Sequence, residues 1–353
     1  MKRVLLAGYF GCGNIGDDAI LLGFLEGARD LDIDPIVMSG RPEETHRLYG
    51  VPGFDRRDLG LFKERMAEAD LLVFPGGSIF QDVTSLRSVA YYSSLVKTAK
   101  KLGKKVVLLG QGMGPLNRFV GKKLAKDAFN ACDAICVRDP DSIQTLKKLG
   151  VKQTPHLTAD MALLLPKPTI DDNVESYQVA GMRGVALIPR PHGKGDGVAQ
   201  LFGEIAQQLM KQGRMPVLIE MDRHADRPLI LQIEKLMGGK IPTIRDLVTP
   251  MAMMSKLCRL EGMISMRLHG GILSAAIGVP PTMLSYDPKV TALSKLLGLP
   301  SALPMDGLTA SRAVDSYLEL QKKKATYGPR MEGELVQLRD LAAKNIEVLR
   351  RIL

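Results

Sequence analysis

Six short stretches of this 353-residue chain hold groups that could bind ligands or move protons, four of them together with glycine. The first is Gly8-Tyr9-Phe10-Gly11-Cys12-Gly13-Asn14-Ile15-Gly16-Asp17-Asp18. Its glycines allow close approach of the backbone to a ligand, and a helix starting there favours an anion. Gly11, Gly13 and Gly16 have the spacing of a dinucleotide fingerprint, but two carboxylates follow at once and would repel a pyrophosphate. Ser39-Gly40-Arg41 stands where the second strand should end in an acid. A nicotinamide site is therefore disfavoured, and at least one of Asp17 and Asp18 is expected to cap the helix. The second stretch, Pro75-Gly76-Gly77-Ser78-Ile79-Phe80-Gln81-Asp82, suits a loop that hydrogen-bonds a sugar or phosphate, or a tight turn followed by a cap. In the third, Gly110-Gln111-Gly112-Met113-Gly114-Pro115, Gln111 alone offers a specific polar group. The fourth is Arg138-Asp139 with Ser142: the arginine either pairs with Asp139 or reaches an anion. The fifth, Ile264-Ser265-Met266-Arg267-Leu268-His269-Gly270-Gly271, and the sixth, Ser285-Tyr286-Asp287-Pro288-Lys289, join Arg190 to place three cations and a histidine at strand ends. That grouping reads as an anion cradle in which His269 is expected to be functional.

These stretches need elements to hold them. Hydrophobic patterning predicts strands over 2–8, 34–38, 71–74, 106–110 and 134–137, alternating with helices over 17–28, 89–102, 118–131 and 141–149. Such alternation means a parallel, doubly wound sheet, which binds ligands beyond the carboxyl ends of its strands. Residues 164–177 carry prolines and acids without period and read as a linker. A second set follows, with strands over 184–188, 215–220, 263–265 and 282–284, helices over 198–212, 225–237 and 271–277, and a terminal helix over 330–353. The expected fold is α/β: two Rossmann-like domains in a GT-B-like plan with an interdomain cleft. The expected boundaries are an acceptor-side domain over 1–165, a donor-binding domain over 178–325 and a C-terminal helix over 326–353.

Composition narrows the classes. Hydrophobic residues are 45% and charged residues 24%, ordinary for a globular chain. Four cysteines, Cys12, Cys132, Cys136 and Cys258, are too sparse for a disulfide framework and lack the partners of a zinc site. No His/Asp/Glu cluster has ligand spacing, so no metal is expected. No apolar run approaches the roughly 18 residues that span a bilayer, and the basic N-terminus runs into a glycine loop, unlike a signal peptide. A cytoplasmic location is expected. The net charge is +10, and residues 97–152 hold thirteen Lys/Arg against four Asp/Glu. A polyanion partner or a solvated helix face explains that excess. With no Trp there is little to stack on bases, so nucleic acid is disfavoured. Arg118, Lys122 and Lys126 recur at helix spacing, with Val120, Leu124 and Ala128 expected to pack inward. An anionic inner-membrane surface fits that stripe.

Taken together and in order, the six stretches resemble the polysaccharide pyruvyl transferase family, most nearly its CsaB type, which modifies a secondary cell-wall polysaccharide. GYFGCGNIGDDAIL, FPGGSIFQD, GQGMGP, Arg138-Asp139 with Ser142, SMRLHGGILSAAIGVP and YDPKV carry the resemblance over about residues 1–300. It implies a GT-B-like fold and phosphoenolpyruvate as donor substrate, with no separate cofactor. It also implies transfer of a pyruvyl group to a sugar, often N-acetylmannosamine of a lipid-linked precursor, as a 4,6-linked ketal. The family's functional histidine falls on His269, its lysine on Lys289 and its arginine on Arg138, with Arg267 competing. The family commonly has Glu where Asp18 stands. In this reading Arg190, Arg267 and Lys289 hold the donor and His269 is the general acid. Asp17 orients the acceptor or serves as base, and Asn14, Gly76, Gly77 and Gln111 line the acceptor side. A GT-B glycosyltransferase using a nucleotide-sugar, and a glycan-binding protein without activity, are the alternatives.

Overall fold

Nine residues, Lys2–Phe10, form the first strand, β1, and all but Lys2, Arg3 and Tyr9 are buried. A near-continuous apolar run is what a parallel strand covered on both faces requires. The computed structural model describes residues 1–82, 85–169, 178–179, 182–193, 195–239 and 241–353. Residues 170–177 of the expected linker lie outside the described residues. The chain divides into two units, one of residues 1–12, 17–165 and 338–353, the other of residues 13–16 and 166–337.

In the first unit β1 is followed by α1 (Ile15–Gly27), β2 (Ile33–Ser39), α2 (Pro42–Tyr49), β3 (Gly53–Asp55), α3 (Leu59–Glu68), β4 (Leu71–Phe74), α4 (Arg87–Lys101), β5 (Lys105–Gln111), α5 (Phe119–Ala131), β6 (Ala134–Val137), α6 (Pro140–Leu149) and β7 (His156–Leu157). The strand order is β3-β2-β1-β4-β5-β6-β7, and every pair is parallel. Alternation along β1 sends Val4 and Leu6 into one core, with Phe24, Ile346 and Leu349, and Leu5 and Ala7 into another, with Leu95, Phe129 and Ile135. The order reverses between β1 and β4, so the loops after those strands flank the switch point where such sheets take ligands.

The second unit contains β8 (Gln178–Val179), β9 (Met182–Ile188), α7 (Gly197–Lys211), β10 (Arg214–Ile219), α8 (Arg227–Leu236), β11 (Thr243–Ile244), α9 (Pro250–Leu257), β12 (Gly262–Ser265), α10 (Leu268–Ala276), β13 (Pro281–Ser285), α11 (Pro288–Leu296), β14 (Leu303–Pro304) and α12 (Ala310–Lys322). Its order is β11-β10-β9-β12-β13-β14, with β8 antiparallel on β9. Here the switch falls between β9 and β12, the strands that lead to Arg190 and Arg267. A final helix, α13 (Lys324–Ile352), runs through Pro329, and its residues from Leu338 onward belong to the first unit.

Two expectations are corrected. Helix α10 begins at Leu268, not 271, which takes His269 out of a loop and into the first turn. Val120 is 53% exposed and does not pack inward: Gly121, Ala125, Ala128 and Phe129 form the buried face of α5. The helix is rotated because Gly121 fits against the Asp82 carboxylate, where a larger side chain would collide.

Candidate active site

At the first switch point the loop after β1 is tied from within. Asp18 does not cap α1; its Oδ1 accepts the Gly11 N–H at 2.8 Å. Burial pushes its carboxyl up to about 7, against the pull of that hydrogen bond, and the Asp17 and Glu44 charges add to the rise. Asp17 stays nearer the surface, its Oδ1 3.7 Å from the point where a Gly77 Cβ would stand. Gly77 is left-handed, with φ of +94°, and bridges Gln111 across the sheet, its carbonyl accepting Gly112 N–H at 3.0 Å. The structure thus brings Asp17, Gly76, Gly77 and Gln111 to one sheet edge. Gln111 is buried, and its amide donates to Phe74 O and Leu109 O, both at 3.2 Å. Its side chain braces the two strand ends.

Arg138 is 7% exposed. Its Nη1 reaches Asp160 Oδ2 at 2.6 Å and its Nη2 donates to Ser78 Oγ at 3.0 Å, while Asp139 lies 4.0 Å from Nε. Asp139 is occupied as the cap of α6, accepting Ser142 N–H at 2.7 Å. A Cβ on Gly112 would stand 2.6 Å from Arg138 Nη2, so Gly112 is the residue that admits the guanidinium.

In the second unit, residues 13–16 join the loop after β10. Ile15 N–H donates to Met221 O at 2.9 Å, Arg223 N–H to Gly13 O at 3.0 Å, and Asn14 bridges Asp222. Asn14, expected on the acceptor-side domain, therefore groups with the second unit, because these main-chain bonds hold it there. Its Oδ1 accepts Gly16 N–H at 3.0 Å. The His269 ring lies against Gly16: a Cβ there would stand 2.5 Å from Nδ1, so any other residue would push the ring aside.

The expected cations stand at strand ends of the same sheet. Arg267 Nη2 pairs with Asp226 Oδ1 and lies 3.6 Å from Asp222 Oδ2. Asp226 is fully buried and also accepts Met221 and Asp222 N–H through Oδ2. Desolvation pushes its carboxyl up and Arg267 opposes the rise. Lys289 Nζ lies 3.4 Å from Asp287 Oδ2, and the Asp287 side chain caps α11. Arg190 differs. Its Nη1 donates to Tyr286 Oη, and its Cζ stacks 4.4 Å from that ring. Among the described residues no carboxylate lies within ion-pair distance of it. Burial, then the neighbouring Arg267 charge, pull its affinity for a proton below the ordinary value. Two guanidinium groups that repel one another at a switch point favour an anion between strand ends. Among the described residues no group of His, Cys, Asp and Glu could hold a metal ion.

A family model described as polysaccharide pyruvyl transferase matches residues 14–288. The chain belongs to the polysaccharide pyruvyl transferase family. It is 24% identical to the amylovoran biosynthesis protein AmsJ of Erwinia amylovora, covering 92% of this chain and 94% of that one. Among solved structures it resembles the UDP-GlcNAc 2-epimerase of Neisseria meningitidis bound to UDP-GlcNAc, with a TM-score of 0.68 at 12% identity over 99% of this chain and 100% of the other. It also resembles S. aureus MnaA with UDP, with a TM-score of 0.67 at 10% identity over 94% and 91%. These likenesses give the fold: two Rossmann-like domains of the GT-B type. The chain is a transferase of polysaccharide biosynthesis.

Sequence reasoning gave no role to four residues of this chain. Asp160 and Asp226 anchor Arg138 and Arg267, Tyr286 carries Arg190, and Arg56 follows β3. Asp226 lies four residues after Asp222, a spacing that could have marked it. Arg56 had no such signal, because a three-residue strand leaves no period to read.

Proposed function

We propose that the enzyme transfers the pyruvyl group of phosphoenolpyruvate to two hydroxyls of a saccharide, forming a cyclic ketal and releasing phosphate. The observation that carries this is Arg190: a half-buried guanidinium at the switch point, beside Arg267 and without a carboxylate partner among the described residues. Phosphoenolpyruvate supplies a phosphate and a carboxylate, and Arg190, Arg267 and Lys289 oppose them. Arg267 is oriented by Asp226, so it presents a fixed charge.

The chemistry needs one proton delivered and two removed. His269 protonates C3 of the donor, and C2 becomes electrophilic. One acceptor hydroxyl adds to C2 and gives up its proton. The second hydroxyl then adds at C2 as the C2–O bond to phosphate breaks, and its proton leaves with phosphate. Asp17, above the Gly76–Gly77 turn, orients these hydroxyls and takes the first proton. Gln111 and Asn14 hold the loops that shape the two sites. Arg138, enclosed by Asp160 and Ser78, positions the loops after β4 and β5. No separate cofactor enters this scheme.

The acceptor we favour is N-acetylmannosamine of a lipid-linked cell-wall precursor, as in the CsaB type, pyruvylated at O4 and O6. Among the described residues no helix is long and apolar enough to cross a membrane. Arg118, Phe119, Val120, Lys122 and Lys123 instead form an exposed tip on α5 suited to an anionic leaflet, which would place the enzyme at the inner membrane face.

The test is incubation with phosphoenolpyruvate and a lipid-linked ManNAc–GlcNAc acceptor, read by mass spectrometry. A gain of one pyruvyl group less water is expected. Lys289→Ala should weaken the donor by about tenfold or more, since a charge-assisted contact contributes roughly 1.5–3 kcal/mol. Sugar transfer from a nucleotide-sugar, with no product from phosphoenolpyruvate, would overturn the reading.

A further inference from the structure

Arg56 follows β3 directly, at the carboxyl edge of the first sheet. Its main chain is pinned: the N–H donates to Ser39 O at 2.9 Å, and the carbonyl accepts Tyr91 Oη–H at 2.5 Å. Its Nη2 donates to Tyr92 Oη at 3.0 Å. Its Cζ stands 5.2, 4.9 and 5.9 Å from the ring centroids of Tyr9, Tyr91 and Tyr92. Every one of these partners is uncharged. Among the described residues no carboxylate lies within ion-pair distance of Arg56, whereas Arg138 and Arg267 each meet an aspartate.

The aromatic faces offset part of the cost of half-burying the guanidinium, but they do not cancel its charge. Nη1 makes no hydrogen bond among the described residues. Tyr9, 42% exposed on β1, extends the site as an aromatic surface. A fixed, uncompensated guanidinium suits a phosphate oxygen, and an exposed tyrosine suits the apolar face of a pyranose. The donor cations all lie in the second unit, whereas Arg56 shares the first with Asp17 and Gly77.

We propose that Arg56, walled by Tyr9, Tyr91 and Tyr92, is a subsite for the phosphate ester of the acceptor saccharide. The assignment to the acceptor rests on the pyruvyl-transfer reading; the anion site does not. Its test compares KM for an acceptor that bears its phosphate with KM for the same saccharide dephosphorylated. Arg56→Gln should raise the first by about tenfold or more, leaving the second and the donor KM unchanged. Arg56→Lys, which keeps the charge, should recover part of the loss. An equal rise for both acceptors, or a rise in donor KM instead, would overturn the proposal.

If the wild type pyruvylates neither acceptor, the reaction reading has failed and the subsite is judged by itself, with inorganic pyrophosphate titrated by calorimetry. Arg56→Gln and Tyr9→Ala, each with a native melting temperature, should then bind pyrophosphate more weakly than the wild type. Unchanged affinity in both overturns the site.

Discussion

The polar residues of both switch points divide by whether their charge is answered. Arg138 and Arg267 pair with the buried Asp160 and Asp226, and losing either aspartate would leave a costly unpaired charge. Arg190 and Arg56 meet tyrosine rings instead, with no carboxylate within ion-pair distance among the described residues. Asp18 is a third kind: a carboxyl enclosed with a single main-chain donor and raised to about 7 from 3.8. Between those values the folded protein holds a proton that the unfolded chain has released. The contribution to stability is therefore complete below about pH 4 and is lost as pH rises through 7, at roughly 1.4 kcal/mol for each pH unit crossed. Asp18→Asn keeps an oxygen for the Gly11 N–H and removes the titration. Its melting temperature should gain on the wild type between pH 5 and pH 8; a difference that stays constant across that range would refute the assignment.

Among the elements, the parallel strands were legible in the sequence because VLLAG, LLVF, VVLLG and GVALI are apolar runs that lead into loops bearing glycine, proline or a charged group. The glycine loops were legible for the same reason. What was not legible is how a loop is held from a distance. Nothing near Gly110 announces that Asn345, on α13, meets its N–H at 2.8 Å and donates to Ala159 O at 3.0 Å. Nor does the SMRLHGG stretch reveal that α10 starts early enough to include His269, or that Gly16 is the surface its ring rests on. Asn345 is fully buried, and Asn345→Ala would leave two main-chain groups without their side-chain partner. At about 1–3 kcal/mol for each, the variant should lose roughly 2–6 kcal/mol of stability in urea unfolding. A loss below about 1 kcal/mol would mean that this clamp does not hold the strand end before Gln111.

Across the whole molecule the net charge of +10 has a local source, since residues 97–152 hold thirteen Lys/Arg against four Asp/Glu. The structure redraws the stripe read from sequence. Lys126 lies over Gly150 and is only half-exposed, whereas Arg118, Lys122 and Lys123 are exposed beside Phe119, 80% exposed, and Val120. An exposed phenylalanine among cations is poorly suited to a merely solvated helix face, and well suited to a leaflet in which the ring enters the acyl boundary while the cations meet headgroups. Each cation near an anionic surface contributes about 1 kcal/mol, and burying the phenyl ring adds about 1.5–3 kcal/mol, enough for reversible attachment. The two terms separate in experiment. Co-sedimentation with vesicles containing phosphatidylserine should fall with salt, because screening weakens only the ionic part. Phe119→Ser should lower it at every salt concentration, and Arg118→Glu with Lys122→Glu and Lys123→Glu should abolish the salt dependence along with most of the binding. If the wild type stays in the supernatant at low salt, the tip of α5 serves no membrane, and the acceptor must reach the enzyme without it.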